Sequence, residues 1–163
     1  MFRCALTEMD TLDFSITSNG SSVIAQLPIG FDVETGARFS AMVAMEAVPA
    51  HGPETRELIF CLLEYDHESD TFDQIWDGLA TRRKIPDIAH RGAIFAAVQQ
   101  MTRALIDDVE PLVVTMSTHT AYLPDKALAK YTRIAASLWD AGYRAGKTDI
   151  WHGRHFWIME RVR

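Results

Sequence analysis

The stretch Ile94-Phe95-Ala96-Ala97-Val98-Gln99-Gln100-Met101-Thr102-Arg103-Ala104-Leu105-Ile106-Asp107-Asp108-Val109-Glu110-Pro111-Leu112-Val113-Val114-Thr115-Met116-Ser117 decides the fold. Its first part repeats apolar residues at intervals of three and four: Ile94, Phe95, Val98, Met101, Leu105, Ile106 and Val109. That spacing predicts an amphipathic helix, which Pro111 stops. Leu112 to Ser117 then reads as a compact strand centred on Val113, Val114 and Thr115. Upstream, Leu58 to Tyr65 is apolar on both faces, the mark of a strand inside a sheet. A helix between two interior strands can make a right-handed crossover, which allows the strands to run parallel.

Toward the N-terminus the period is two. Leu12, Phe14 and Ile16 alternate with polar neighbours, and Asn19-Gly20 supplies a hairpin turn. Val23 to Ile29 is a second strand whose end Pro28 turns into an edge or a bulge. After the turn Glu34-Thr35-Gly36, residues Phe39, Ala41, Val43 and Met45 share one face. The loop Pro49-Ala50-His51-Gly52-Pro53 leads into Leu58 to Tyr65, completing a four-strand antiparallel meander. Asp70 or Thr71 then reads as the cap of a short helix carrying Phe72, Ile75, Trp76 and Leu79 and closing on Arg82, Arg83 and Lys84.

Toward the C-terminus Pro124 suits the first turn of another helix, with Leu128, Tyr131, Ile134, Ala135 and Leu138 as its buried stripe. Gly142 ends that helix, with Tyr143 packed back on Leu138. Thr148 to Val162 reads as a last strand or a hairpin around Gly153. The expectation is one domain over residues 1–163. Its class is mixed α+β or α/β, a mostly antiparallel twisted sheet with helices packed on it.

Composition bounds the function. Of 163 residues, 48% are apolar and 23% charged, which suits one packed core. The net charge of −6 argues against a nucleic-acid partner. No apolar run is long enough to cross a bilayer, and the start, with Glu8, Asp10 and Asp13, lacks the apolar block of a signal peptide. The two cysteines, Cys4 and Cys61, make no disulfide framework and read as reduced core thiols of a cytoplasmic protein. No Cys-x-x-Cys is present, and no metal site is expected. There is no Gly-x-Ser-x-Gly elbow and no nucleotide-binding glycine fingerprint.

The element order, meander, helix, strand, helix, strand, resembles the GCN5-related N-acetyltransferase fold. The likeness is also carried by Ser137-Leu138-Trp139-Asp140-Ala141-Gly142-Tyr143-Arg144, whose Gly142-Tyr143 pair is similar to that family's Gly-aromatic close. Leu138 stands where the family often has a tyrosine, and Tyr131 where it often has an asparagine. Arg91-Gly92-Ala93-Ile94-Phe95-Ala96 resembles the Arg/Gln-x-x-Gly-x-Gly/Ala signature that cradles the diphosphate of acetyl-coenzyme A at a helix start. Ile94 stands in the place of its middle glycine, where a β-branched side chain holds the backbone away from a phosphate. If Asp87 caps the helix instead, Arg91 and Gly92 lie inside its first turns and no phosphate loop exists. More loosely, Arg91 to Val98 and Asp125 to Tyr131 look like small phage- and plasmid-type proteins of this fold that have no established activity.

The resemblance implies acyl transfer from acetyl-coenzyme A to an amine on a small molecule or a protein. The alternative is a non-catalytic binding or interaction module on the same fold. A homodimer is left open. In the transfer reading Glu64, late on its strand, is the general base, against a plain reading as a strand-end carboxylate paired with a cation. Tyr131 is a candidate proton donor to the leaving thiolate, against a place in the helix stripe. His119, just past the strand Leu112 to Ser117, sits where ligands gather beyond the ends of parallel strands. Trp151, His152, Arg154, His155 and Trp157 form an aromatic and basic cluster read as a turn with polar tips.

Overall fold

The computed structural model describes residues 1–6 and 12–162, so Glu8 and Asp10 of the N-terminal reading lie outside the described residues. The elements in chain order are β1 (Phe2–Cys4), β2 (Ser15–Asn19), β3 (Ser22–Asp32), β4 (Arg38–Ala47), β5 (Thr55–Asp66) and β6 (Thr71–Ile75). They continue with α1 (Gly78–Lys84), α2 (Ile88–Val109), β7 (Val113–Ser117), α3 (Asp125–Ser137), β8 (Tyr143–Lys147) and β9 (Phe156–Arg161). The sheet runs β1-β3-β4-β5-β7-β9-β8, with β2 also on β3 and β6 also on β5. Every neighbouring pair is antiparallel except β5 with β7. The fold is thus mixed α+β with a mostly antiparallel sheet.

Period-two alternation builds the first half. Ala25, Leu27 and Ile29 of β3, Phe39, Ala41, Val43 and Met45 of β4, and Leu58 and Leu62 of β5 are all buried. They meet Ala97, Val98, Met101 and Leu105 of α2, which packs across β3 and β4. The hairpin turn falls on Gly20-Ser21, one residue later than the sequence suggests, because Asn19 still pairs with Ser22. Gly20 has φ 57° and takes the first turn position, which favours glycine. The bulge lies between Pro28 and Gly30. A Cβ on Gly30 would stand 2.0 Å from the Arg3 carbonyl oxygen, so β1 can reach β3 only over a glycine.

Three parts of the second half differ from the sequence reading. First, Thr71–Ile75 is a strand, not the start of a helix: it pairs with β5 from Leu62↔Ile75 to Asp66↔Thr71. Phe72 packs on Tyr65 with ring centroids 4.8 Å apart, and the Tyr65 hydroxyl donates to Asp70 Oδ1 at 2.6 Å. The helix begins only at Gly78, where Asp77 accepts from the Leu79 and Ala80 N–H groups. Phe72 and Leu79 have helical spacing but are exposed, so no buried stripe existed to carry one helix through.

Second, α3 ends at Ser137, and a 3-10 turn over Trp139–Ala141 continues to Gly142, left-handed at φ 86°. Tyr143 N–H donates to the Leu138 carbonyl at 3.2 Å, and its hydroxyl donates to the Pro111 carbonyl. Third, Tyr143 does more than pack on the cap: it opens β8, and the final hairpin is β8 with β9. The loop between them is pinched by the Trp151↔Arg154 bridge around His152 and Gly153.

Candidate functional site

The parallel pair β5 and β7 is short. Thr55↔Val113, Arg56↔Val114 and Glu57↔Thr115 are the only pairs, after which the strands part. β6 takes over the same edge of β5 from Leu62. Over Leu58–Cys61 no described strand pairs with that edge, although β4 remains paired along the other edge throughout. An interior sheet edge therefore opens for four residues, and side chains rather than backbone close the gap.

Aromatic rings do most of the closing. Phe60 leans on Tyr131 of α3 at 5.3 Å, and Tyr131 stacks on Trp157 of β9 at 5.0 Å and 10°. From outside, Trp76, in the link from β6 to α1, stacks on His119 at 4.8 Å and 11°. Between these layers is a cavity of about 110 Å³ whose polar walls are Glu57, Ser117, His119, Tyr131 and Arg154.

These polar groups are joined. Arg154 Nε donates to the Thr118 carbonyl at 2.7 Å, and its Nη2 donates to Ser117 Oγ at 3.0 Å. Ser117 Oγ in turn donates to Glu57 Oε1 at 3.4 Å. The Tyr131 hydroxyl accepts from the His119 backbone N–H, and burial pushes the phenol above its ordinary pKa. Tyr131 is therefore a neutral phenol at ordinary pH, able to donate a proton but not poised as a base. His119 is exposed, held face to face with Trp76.

Of the sequence candidates, Tyr131 and His119 come together at this split, and Glu64 does not. Glu64 lies past the opened segment, where β5 is paired on both edges, with Phe39 and with Asp73. Its Oε1 accepts from Lys84 Nζ at 2.8 Å, at the C-terminal end of α1. The carboxylate that faces the split is Glu57.

The Arg91–Ala96 segment is also placed differently from a phosphate loop. Asp87 caps α2, so all six residues are inside the helix. Arg91 Nη1 donates to the Ile85 and Pro86 carbonyls and ties the chain entering α2 to its first turns. A Cβ on Gly92 would meet nothing within 4 Å, so no close backbone approach requires a glycine there. Gly92 and Ala96 are exposed, Ala93 packs on the core, and Ile94 and Phe95 wall a second cavity.

The start of α2 is itself occupied. Asp87 Oδ1 accepts from Ala89 N–H at 2.7 Å and His90 N–H at 3.1 Å, and these bonds hold its carboxyl below the usual range. A negative charge thus sits where the helix dipole and free amides would otherwise favour a phosphate. The residues at this position do not fit a diphosphate cradle.

Glu57, Ser117, Trp76 and Arg154 were not singled out for the site from sequence. Arg154 belonged to a visible aromatic and basic cluster, and that cluster's turn brings it against β7. Glu57 and Ser117 carried no signal, because only the pairing of β5 with β7 sets them side by side. Among the described residues no group of three or more His, Cys, Asp or Glu side chains is placed to hold a metal ion. No described helix is long and apolar enough to cross a membrane. No protein-family model, curated protein or solved structure matches this chain.

Proposed function

We propose that this chain is an acetyltransferase-like domain that works as a binding module, taking an extended, amide-bearing arm into the split between β5 and β7. The arm of that chemistry in the acetyltransferase reading is the pantetheine arm of an acyl thioester. The observation that carries the proposal is the open edge over Leu58–Cys61 in the interior of the sheet. An extended ligand with amide groups can hydrogen-bond there as a short extra strand does. The rings of Phe60, Tyr131 and Trp76 supply its apolar walls.

Non-catalytic binding is favoured over transfer by two ion arrangements. Asp87 fills the α2 start, and Lys84 engages Glu64. The second reading, acyl transfer from a coenzyme A thioester to an amine, is favoured by Tyr131. Its protonated phenol borders the split and could return a proton to a leaving thiolate. In that reading the amine nitrogen bonds to the acyl carbon, the carbon–sulfur bond breaks, and the leaving thiolate takes the Tyr131 proton. The proton the amine gives to solvent is matched by one that solvent returns to the phenolate.

Calorimetric titration with pantetheine, acetyl-coenzyme A and adenosine 3′,5′-bisphosphate separates the readings. The expected result is that pantetheine and acetyl-coenzyme A bind with affinities within about threefold and the nucleotide does not bind. Binding carried by the nucleotide alone, or no binding of pantetheine, would overturn the proposal. Release of free thiol from acetyl-coenzyme A in the presence of an amine, lost in Tyr131→Phe, would establish transfer in its place.

A further inference from the structure

Behind Phe60, on the α2 side, lies a second cavity of about 140 Å³. Its body is apolar: Leu62 of β5, Ile85, and Ile94, Phe95 and Val98 of α2. Two cations reach its wall, Lys130 of α3 and Arg91 of α2, and no carboxylate does. In a chain of net charge −6 this is a selective arrangement.

Lys130 is the unusual member. Its Nζ stands 5.5 Å from the Phe60 ring centroid and 5.2 Å from that of Tyr131, and among the described residues it makes no hydrogen bond or ion pair. Burial pulls its pKa down, and the nearby Asp77 acts the other way. The Asp77 carboxylate is already engaged by the Leu79 and Ala80 N–H groups that it caps. A half-buried ammonium at the wall of an apolar cavity, with its nearest carboxylate held at the α1 cap and not in direct contact, is a place for an incoming anion.

We infer that this cavity is a binding site for a small apolar monocarboxylate, an aromatic or branched acid of about benzoate size, whose carboxylate pairs with Lys130. The size follows from the volume, which is close to that of a cavity that holds a benzene-sized molecule, and the open mouth leaves room for a carboxylate. The charge follows from the lining. Arg91 adds positive potential while its Nη1 stays on the backbone. The inference goes beyond the binding of an arm at the split and stands whether or not pantetheine binds there.

The test is a titration of the full chain with benzoate and with benzamide, its neutral counterpart of the same shape, read by calorimetry and by Trp76-sensitive fluorescence. The same pair is then run on Lys130→Met, which keeps the length and apolar stem of the side chain. Benzoate is expected to bind wild type at least about tenfold more tightly than benzamide, the gain of a charge-assisted bond in a partly dry site. Lys130→Met is expected to erase that preference while leaving benzamide binding unchanged. Equal binding of the two compounds, no binding of either, or a preference that survives in Lys130→Met would overturn the inference. The wild-type comparison decides on its own if Lys130→Met does not fold.

Discussion

β5 has two sides that behave differently. Along β4 it is paired for ten residues, from Arg38↔Tyr65 to Ala47↔Arg56. Along β7 it is paired for three and then opens. The first side belongs to a continuous ladder whose inner face is buried under α2. The second is a gap closed by the rings of Phe60, Tyr131 and Trp76. One strand is thus a structural wall on one edge and a recessed, unpaired edge over Leu58–Cys61 on the other, where the proposed binding would take place. Stability should concentrate on the first side and ligand response on the second.

The largest expected effect tests the wall. Leu27 of β3 is fully buried beneath α2. Leu27→Ala should destabilise the domain by about 2–5 kcal/mol in urea melts. Phe60→Ala, at a half-buried ring beside two cavities, should cost clearly less than the ~3–5 kcal/mol of a fully buried phenylalanine. Equal losses at the two positions would remove the distinction between wall and gap.

A smaller effect tests how the chain returns from α3 to the outer edge beyond β9. Gly142 is left-handed and has open space around its missing Cβ, so Gly142→Ala is penalised by backbone conformation alone. The expected loss is about 1 kcal/mol in the same melts. No loss would mean that the turn into β8 is not held in this conformation.

The smallest effect concerns the start of α2. Asp87 has a folded pKa below its unfolded value, so its contribution to stability is present above about pH 4 and fades as pH falls through the lowered folded value. Asp87→Asn keeps an oxygen for the Ala89 and His90 N–H groups but removes the charge. Its melts should be close to wild type at neutral pH and flatter between pH 5 and pH 2, on the order of the carboxylate range. An unchanged acid limb would mean that the carboxylate is not engaged at the helix start.

The wall was legible in the sequence because local signals build it. Phe39, Ala41, Val43 and Met45 alternate, Gly20 and Gly36 mark turns, and Pro28 announces the bulge beside Gly30. The α2 stripe and its stop at Pro111 were equally local. The gap was not legible, for a physical reason: a strand's edge partners are set by distant segments. Phe72, Ile75, Trp76 and Leu79 have helical spacing, yet Tyr65 and Asp70 draw the first of them into β6. That strand pairs Leu62 to Asp66 and confines the open edge to Leu58–Cys61. Glu64 drew attention by its place late on β5, whereas the carboxylate beside the gap is Glu57, seven residues earlier. The reading of Arg91 to Ala96 as a phosphate loop gave way to the other reading of the same stretch, in which Asp87 caps α2 and all six residues lie inside the helix. Tyr131 and His119 came together because α3 and the end of β7 both border the gap.

The most direct test of the account is amide hydrogen exchange of the full chain, measured with and without pantetheine at saturation. The amides of Leu58–Cys61 that face the gap should slow on addition of pantetheine, while the amides of β4 that pair with β5 stay as they were. Unchanged exchange over Leu58–Cys61, or slowing confined to the start of α2, would contradict the assignment of the strand split as the binding site.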